Sequence, residues 1–354
     1  MKIEQSLDKH RSLVFTNGLH IRLHNLGMMA SLLVGSLLLA IISLSIGSTQ
    51  MDPGDLFAIL WSGTSEADQA FAIWDVRLPR LLLGFMAGWT VALTGAMLQS
   101  LVQNPLADPG LLGLSQGSMV TITLLLVFYP STPASLFPFA GLAGGIAVGV
   151  LLLLLLGRSN SGGLPVLLMG IAIETTLSSV TMILILYTVP ETSYALAAWM
   201  AGTLFNANWS SVAEFSPWFA LTALVIFFLG RSLKVFDLGE QAAMALGEPI
   251  AVTRPVILLA AILLTSATTA VVGPLVFLGI MAPHIASFLS PATGRPRLLL
   301  SAMIGGLLVM GADALTRLAL GDIALPTGLS IVMIGAPAFI IILRMRALRR
   351  VSQS

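Results

Sequence analysis

The chain has 354 residues, of which 56% are hydrophobic and only 9% charged, against roughly 25% charged in a soluble domain. That composition excludes a soluble globular protein and describes an all-α, polytopic membrane protein with a formal net charge of +1. Cysteine is absent, which excludes a disulfide framework, a thiolate nucleophile and a thiolate metal site.

In chain order, residues 1–26 form a polar tail carrying Lys2, Lys9, Arg11 and Arg22. Apolar segments able to cross a hydrocarbon core of about 30 Å follow near 27–47, 80–100, 110–128, 138–157, 164–188, 212–230, 253–271, 274–289, 298–319 and 328–345. No small-residue cleavage site follows the first, which therefore reads as a retained helix. Ten spans and a cytoplasmic N-terminus place all 17 basic residues except Arg77, Arg80 and Arg317 on the cytoplasmic side, as the positive-inside bias requires. The acids sort oppositely, with Asp52, Asp55, Glu66, Asp68, Asp75, Glu191 and Glu214 in outer segments. Residues 27–346 form one transmembrane domain and 347–354 a cytoplasmic C-terminal tail. The connections 48–79 and 231–252 are too short for a soluble domain of their own, and the six leucines Leu151 to Leu156 read as lipid-facing filler.

Two stretches are out of character for plain membrane anchors. Gly273-Pro274 through Pro283-His284 sets two prolines, two glycines and a histidine in an apolar span. The helix there must be short, broken and packed against protein, and such helices line pathways. Leu238 to Gly247 places helix formers between glycines, with Leu238, Ala242, Ala245 and Leu246 approximating one apolar face. A short amphipathic helix follows, either resting on the bilayer or docked to a protein.

The nucleotide-binding and metalloprotease signatures are missing: no G-x-x-x-x-G-K-[ST] and no H-E-x-x-H is present. The chain itself therefore binds no nucleotide in the Walker manner. Glu174, His284 and Asp313 are ionisable groups at membrane depth, and such groups are functional candidates because burying them costs several kcal/mol. Each also has a structural reading. Pro283 frees a carbonyl that a nearby donor can satisfy, and Asp313 and Arg317 are an i,i+4 pair. Glu174 has no evident local partner.

A set of motifs in fixed order resembles the FecCD-type permease subunits of ABC importers for iron siderophores, haem and cobalamin, over about 30–346. They are Arg77-Leu78-Pro79-Arg80; Gly95 to Gln99 with Asn104-Pro105-Leu106-Ala107-Asp108-Pro109; Gly110-Leu111-Leu112-Gly113; Trp199 to Thr203; Leu238-Gly239-Glu240 with Leu246-Gly247; Phe277 to His284; and Leu325 to Gly328 with Gly335 to Phe339. The chain departs from the family after His284. Ser287 stands where arginine is common, and Pro291, Thr293 and Gly294 stand where glycine, aspartate and histidine are usual, while Arg295 is retained.

The resemblance implies a bacterial inner-membrane permease with both termini cytoplasmic, carrying a ferric siderophore, with cobalamin or haem as alternatives. Its partners would be a second permease subunit, identical or a sister chain, a cytoplasmic ATPase dimer that binds ATP-Mg, and a periplasmic binding protein. The chain itself would hold no cofactor or metal, catalyse no reaction and bind no nucleic acid. Arg77, Arg80 and Arg317 would dock the binding protein. Gly239, Glu240, Ala243, Leu246, Gly247 and Arg295 would meet the ATPase, so that Ala243→Asp or Leu246→Asp would uncouple a folded permease. Gln99, Asn104, Pro105, Gly273, Pro274, Pro283, His284 and Glu174 are the candidates for path and gating. The competing class is a proton-driven secondary transporter using Glu174, His284 and Asp313 as a relay.

Overall fold

A computed structural model describes residues 2–5, 11–14, 20–47, 52–62, 67–133, 136–157, 163–320 and 325–351. The ten apolar segments appear as α1 (Leu23–Ser45), α4 (Leu78–Val102), α5 (Leu114–Phe128), α6 (Phe137–Leu156), α7 (Gly163–Ile185), α9 (Trp209–Phe236), α11 (Ile250–Val272), α12 (Leu278–Leu289), α13 (Arg295–Leu320) and α14 (Thr327–Val351). Among the described residues eight are long and apolar enough to cross a membrane, whereas α5 and α12 are shorter. The segments near 110–128 and 274–289 are thus helical over only part of their length. Gly110–Leu112 is a tight 3-10 turn closed by Gly113 at φ 72°, and Gly273 and Pro274 break the chain ahead of α12.

Four shorter helices complete the set: α2 (Pro53–Ser62), α3 (Ala67–Phe71), which continues as a π-helical turn over Ala72–Arg77, α8 (Pro190–Met200) and α10 (Glu240–Ala245). The exposed rings of Phe57 and Trp61 on α2 stack at 6.0 Å, an arrangement suited to a membrane interface. The polar N-terminal stretch is not wholly irregular. Antiparallel strands β1 (Lys2–Gln5), β2 (Arg11–Val14) and β3 (His20–Arg22) form a small meander ahead of α1. Helix α14 runs on to Val351, so 347–351 is helical where the sequence suggested a tail. Arg158 and residues 352–354 lie outside the described residues.

Helix α4 is the axis of the molecule. In its spanning stretch 78% of residues are buried, against 67% for α11 and α13 and 17% for α7. The approach of α4 to α13 is set by glycine: a Cβ on Gly88 would stand 2.4 Å from the Gly305 carbonyl oxygen, and one on Gly305 would stand 2.3 Å from the Gly88 oxygen. Lipid offers apolar surface as readily as a helix does, so close backbone approach is what drives packing here.

Candidate functional site

The centre of interest is the break between α11 and α12. Helix α11 stops at Gly273, φ 75°, and α12 starts after Phe277, which takes a left-handed φ of 73° that is uncommon for a bulky residue. At the same place three separated motifs join through the backbone, Gly328 N–H donating to Gly202 O and Thr203 N–H to Val272 O, both at 2.9 Å. Inside α12, Pro283 has no N–H to offer the Gly279 carbonyl. Gln99 of α4 supplies the missing donor, its Nε2 lying 3.2 Å from Gly279 O. Gly95 allows this contact, since a Cβ there would meet the Gly279 oxygen at 2.1 Å.

His284 does not satisfy the carbonyl that Pro283 frees. Its Nδ1 lies 3.2 Å from Ile280 O, one turn back on its own helix, and its ring packs edge-on to Phe339 at 4.9 Å. It is a buried packing residue of α12.

The loop after α4 turns at Gln103, φ 56°. Asn104 Oδ1 accepts from the Leu106 N–H at 2.9 Å, leaving Pro105 and Leu106 exposed. Asp108 is buried; its Oδ1 accepts from Gly110 N–H at 2.8 Å, and its other oxygen faces Gly279 in the first turn of α12. That places a carboxylate at the positive end of a broken helix. Asp108, Ser115, Gln116, Glu174, Thr265 and Thr269 supply the polar lining of a cavity of about 280 Å³, whose apolar wall includes Pro274 and Phe277. Glu174, without a local partner in the sequence, accepts from Gln116 Nε2 at 3.4 Å.

At the end of the bundle where α4 finishes, α10 caps the corner between α9 and α11. Glu240 pairs with Arg254 of α11 at 2.7 Å, and Gly239 and Gly247 take left-handed φ values of 96° and 81° on either side. Ala243 is fully buried beneath α10, whereas Leu238, Met244 and Leu246 are half or more exposed. Asp substitution at Ala243 therefore strikes the fold first, contrary to the expectation from sequence. Arg295 is exposed and lies against α9: its Nε and Nη2 donate to Phe227 O at 3.1 and 2.6 Å, with the guanidinium 5.0 Å from the Phe227 ring.

At the opposite end, Asp313 holds two arginines, Arg80 at 2.7 Å and Arg317 at 3.1 Å. Arg317 also donates to the Ser43 and Ile46 carbonyls at the end of α1. Arg77 is buried and donates to Leu44 O at 2.7 Å.

Gln99, Asn104, Pro105, Pro274, Pro283 and Glu174 thus converge around the loop, the helix break and the cavity, while His284 and Asp313 belong to other contacts. Sequence reasoning missed Asp108 as a site residue, although Asp108-Pro109-Gly110 is a turn signal at the edge of an apolar segment. It also missed Ser100, Asp237 and Arg297, for which no local pattern exists. Among the described residues no group of three or more His, Cys, Asp or Glu is placed to hold a metal.

The family model described as the FecCD transport family matches residues 33–345. The iron(3+)-hydroxamate import system permease protein FhuG of Bacillus subtilis is 31% identical over 309 residues, covering 85% of this chain and 92% of the relative. The Fe(3+) dicitrate transport system permease protein FecD of Escherichia coli is 32% identical, covering 87% and 95%. The hemin transport system permease protein HmuU of Yersinia pestis is 32% identical, covering 90% and 97%. Among solved structures, an inward-facing metal-chelate type ABC transporter superposes with a TM-score of 0.79 over 90% of this chain and 99% of that one, at 24% identity. That last likeness establishes the fold.

Proposed function

The chain belongs to the FecCD transport family, and from that premise we propose that it is the permease subunit of an ATP-driven importer that carries a ferric siderophore across the bacterial inner membrane. The observation that carries the substrate class is the set of relatives, matched over nearly their whole length and named as permeases for ferric hydroxamate, ferric citrate and hemin. Hydrolysis of ATP-Mg falls to a separate ATPase, since this chain has no Walker motif.

A second permease subunit would cover part of the outer surface formed by α1, α7, α9 and α14, of whose spanning stretches only 6%, 17%, 22% and 24% of residues are buried. Helix α7 presents Thr175, Thr176 and Ser179 outward next to Glu174, a polar run better suited to a protein-lined path than to lipid. The α10 end would face the cytoplasm and the ATPase, in keeping with the basic residues gathered there. The arginine end would face the periplasm and the binding protein.

The proton-relay alternative finds little support in this geometry. Asp313 is held by Arg80 and Arg317, and His284 and Glu174 make separate contacts. The two classes separate in proteoliposomes carrying the permease, its ATPase and its binding protein. Uptake of ferric hydroxamate should require ATP and survive an ionophore; uptake driven by a pH gradient without ATP would overturn the importer reading.

Docking of the binding protein should be electrostatic. Arg80 and Arg317, with side chains 17% exposed, can meet carboxylates of a partner, while Arg77 braces the end of α1. Arg80→Ala leaves Asp313 paired with Arg317 and should cost at most about 1 kcal/mol of docking. Arg80→Glu places two carboxylates together on the rim and should weaken docking far more, and wild-type docking should fall as salt rises. Salt-independent docking in a co-sedimentation assay would show that the arginines serve only the fold.

A further inference from the structure

One side chain of α13 joins α4 to the end of α9, and through Gln99 to α12. Arg297, in the first turn of α13, donates from Nη1 to Asp237 Oδ1 at 2.7 Å and to Ser100 Oγ at 3.0 Å, and from Nη2 to Gln99 Oε1 at 3.1 Å. Ser100 Oγ in turn donates to Asp237 Oδ1 at 2.6 Å. Gln99 passes the chain on through its amide to Gly279 O in α12. Gln103 Nε2, one turn beyond Gln99, donates to Ser100 O at 2.7 Å and to Phe236 O.

We infer that Arg297 is a positioning residue that links the α9–α10 corner to the loop after α4 and to the α12 break, so that displacement of α10 reaches Asn104-Pro105-Leu106. The inference rests on the importer reading given above. Asp237 is the first residue after α9 and stands three positions before Glu240, so any shift of α10 moves it. Gln99 and Ser100 occupy the last turn of α4, immediately ahead of the left-handed Gln103 that starts the loop. Gly279 faces both Gly95 of α4 and Asp108 of that loop. The path from the corner to the last turn of α4 and to the α12 break is thus a chain of direct hydrogen bonds, and the backbone at Gln103 carries it into the loop.

The chemistry suits a positional role better than a stabilising one. The side chains of Arg297 and Asp237 are only 16% and 12% exposed, and buried ion pairs contribute little net stability compared with apolar neighbours while holding register well. The guanidinium fork suits three acceptors, two on α4 and one just past the end of α9; an ammonium offers a point charge without that fixed geometry. Residues acting as one unit must also give non-additive losses.

The experiment uses the reconstituted permease with its ATPase and binding protein, ferric hydroxamate as the cargo, and a single engineered thiol, Leu106→Cys, which is clean because the chain has no cysteine. Leu106 is 51% exposed in the loop. Its rate of labelling should change when a non-hydrolysable ATP analogue is added. Arg297→Gln should leave the ATPase bound and hydrolysing, abolish that labelling change and lower uptake about tenfold, the size of effect seen for network residues. Asp237→Asn should do the same, and the double variant should lose no more than Arg297→Gln alone. Arg297→Lys, a milder change that keeps the pair with Asp237, should fall between wild type and Arg297→Gln in both readouts. A labelling change that persists in Arg297→Gln, or one of full wild-type size in Arg297→Lys if the former does not assemble, would overturn the inference, as would additive losses in the double variant. Absence of ATP-driven uptake in the wild-type complex would instead refute the importer reading itself.

Discussion

Gly88→Leu should prevent the permease from accumulating as a folded protein, and Gly88→Ala should already lower its melting temperature sharply. A Cβ at this position meets Gly305 O at 2.4 Å and Val309 Cγ2 at 2.7 Å, so it strikes backbone as well as a branched side chain. No rotamer change moves a carbonyl, and the helices must separate. The contact is reciprocal, because Gly305 lies equally close to the backbone of α4 and to Ala92 Cβ. Overpacking in a well-packed core costs about 1–3 kcal/mol, and here it falls on the most buried pair of helices in the molecule. Gly27 and Gly35 of α1 provide the control, since nothing stands within 4 Å of a Cβ at either. Size-exclusion profiles and thermal unfolding in detergent should therefore be normal for Gly35→Ala and altered for Gly88→Ala. Equal behaviour of the two would show that α4 and α13 can part without cost.

Leu246→Asp should leave that folded core intact and disconnect the permease from its motor. Leu238, Met244 and Leu246 are 65%, 50% and 65% exposed around α10, while Glu240–Arg254 and the buried Ala243 hold the helix to the bundle. An apolar patch on a helix so anchored is a natural contact for the ATPase, and a charge at its centre should remove about 2 kcal/mol of docking, roughly a thirtyfold loss of affinity. ATP hydrolysis stimulated by the loaded binding protein should drop while expression and melting temperature stay at wild-type values. Ala243→Asp should do the reverse and lower stability, because it buries an unpaired carboxylate. Normal ATP-driven uptake by Leu246→Asp would instead identify α10 as a helix that rests on the bilayer surface.

Three arginines illustrate how the tertiary structure revises a charge pattern. Arg77, Arg80 and Arg317 stand out in the sequence because they break the orientation bias. One of them is buried against the end of α1 and the other two share Asp313. The i,i+4 pairing of Asp313 with Arg317 is legible because helical spacing sets it. The stronger pairing with Arg80 is not, because it joins residues 233 positions apart.

By itself the sequence determined what depends on short-range chemistry. Hydropathy placed the ten apolar helices, glycine and proline marked the break before α12, and helix formers between Gly239 and Gly247 outlined α10, since each follows from neighbours within a few residues. The ordered motifs carried the family. What only the tertiary structure decided is which groups meet: Gln99 with the carbonyl that Pro283 leaves free, Asp108 with the start of α12, and Arg297 with Asp237 and Gln99. Each of these joins helices far apart in the chain, and their meeting depends on how closely backbones approach, a distance that glycines such as Gly95 and Gly88 permit but that no local pattern encodes. The same reason separates Ala243 in α10 from Leu246 just past its end, three residues apart, one turned into the core and the other exposed.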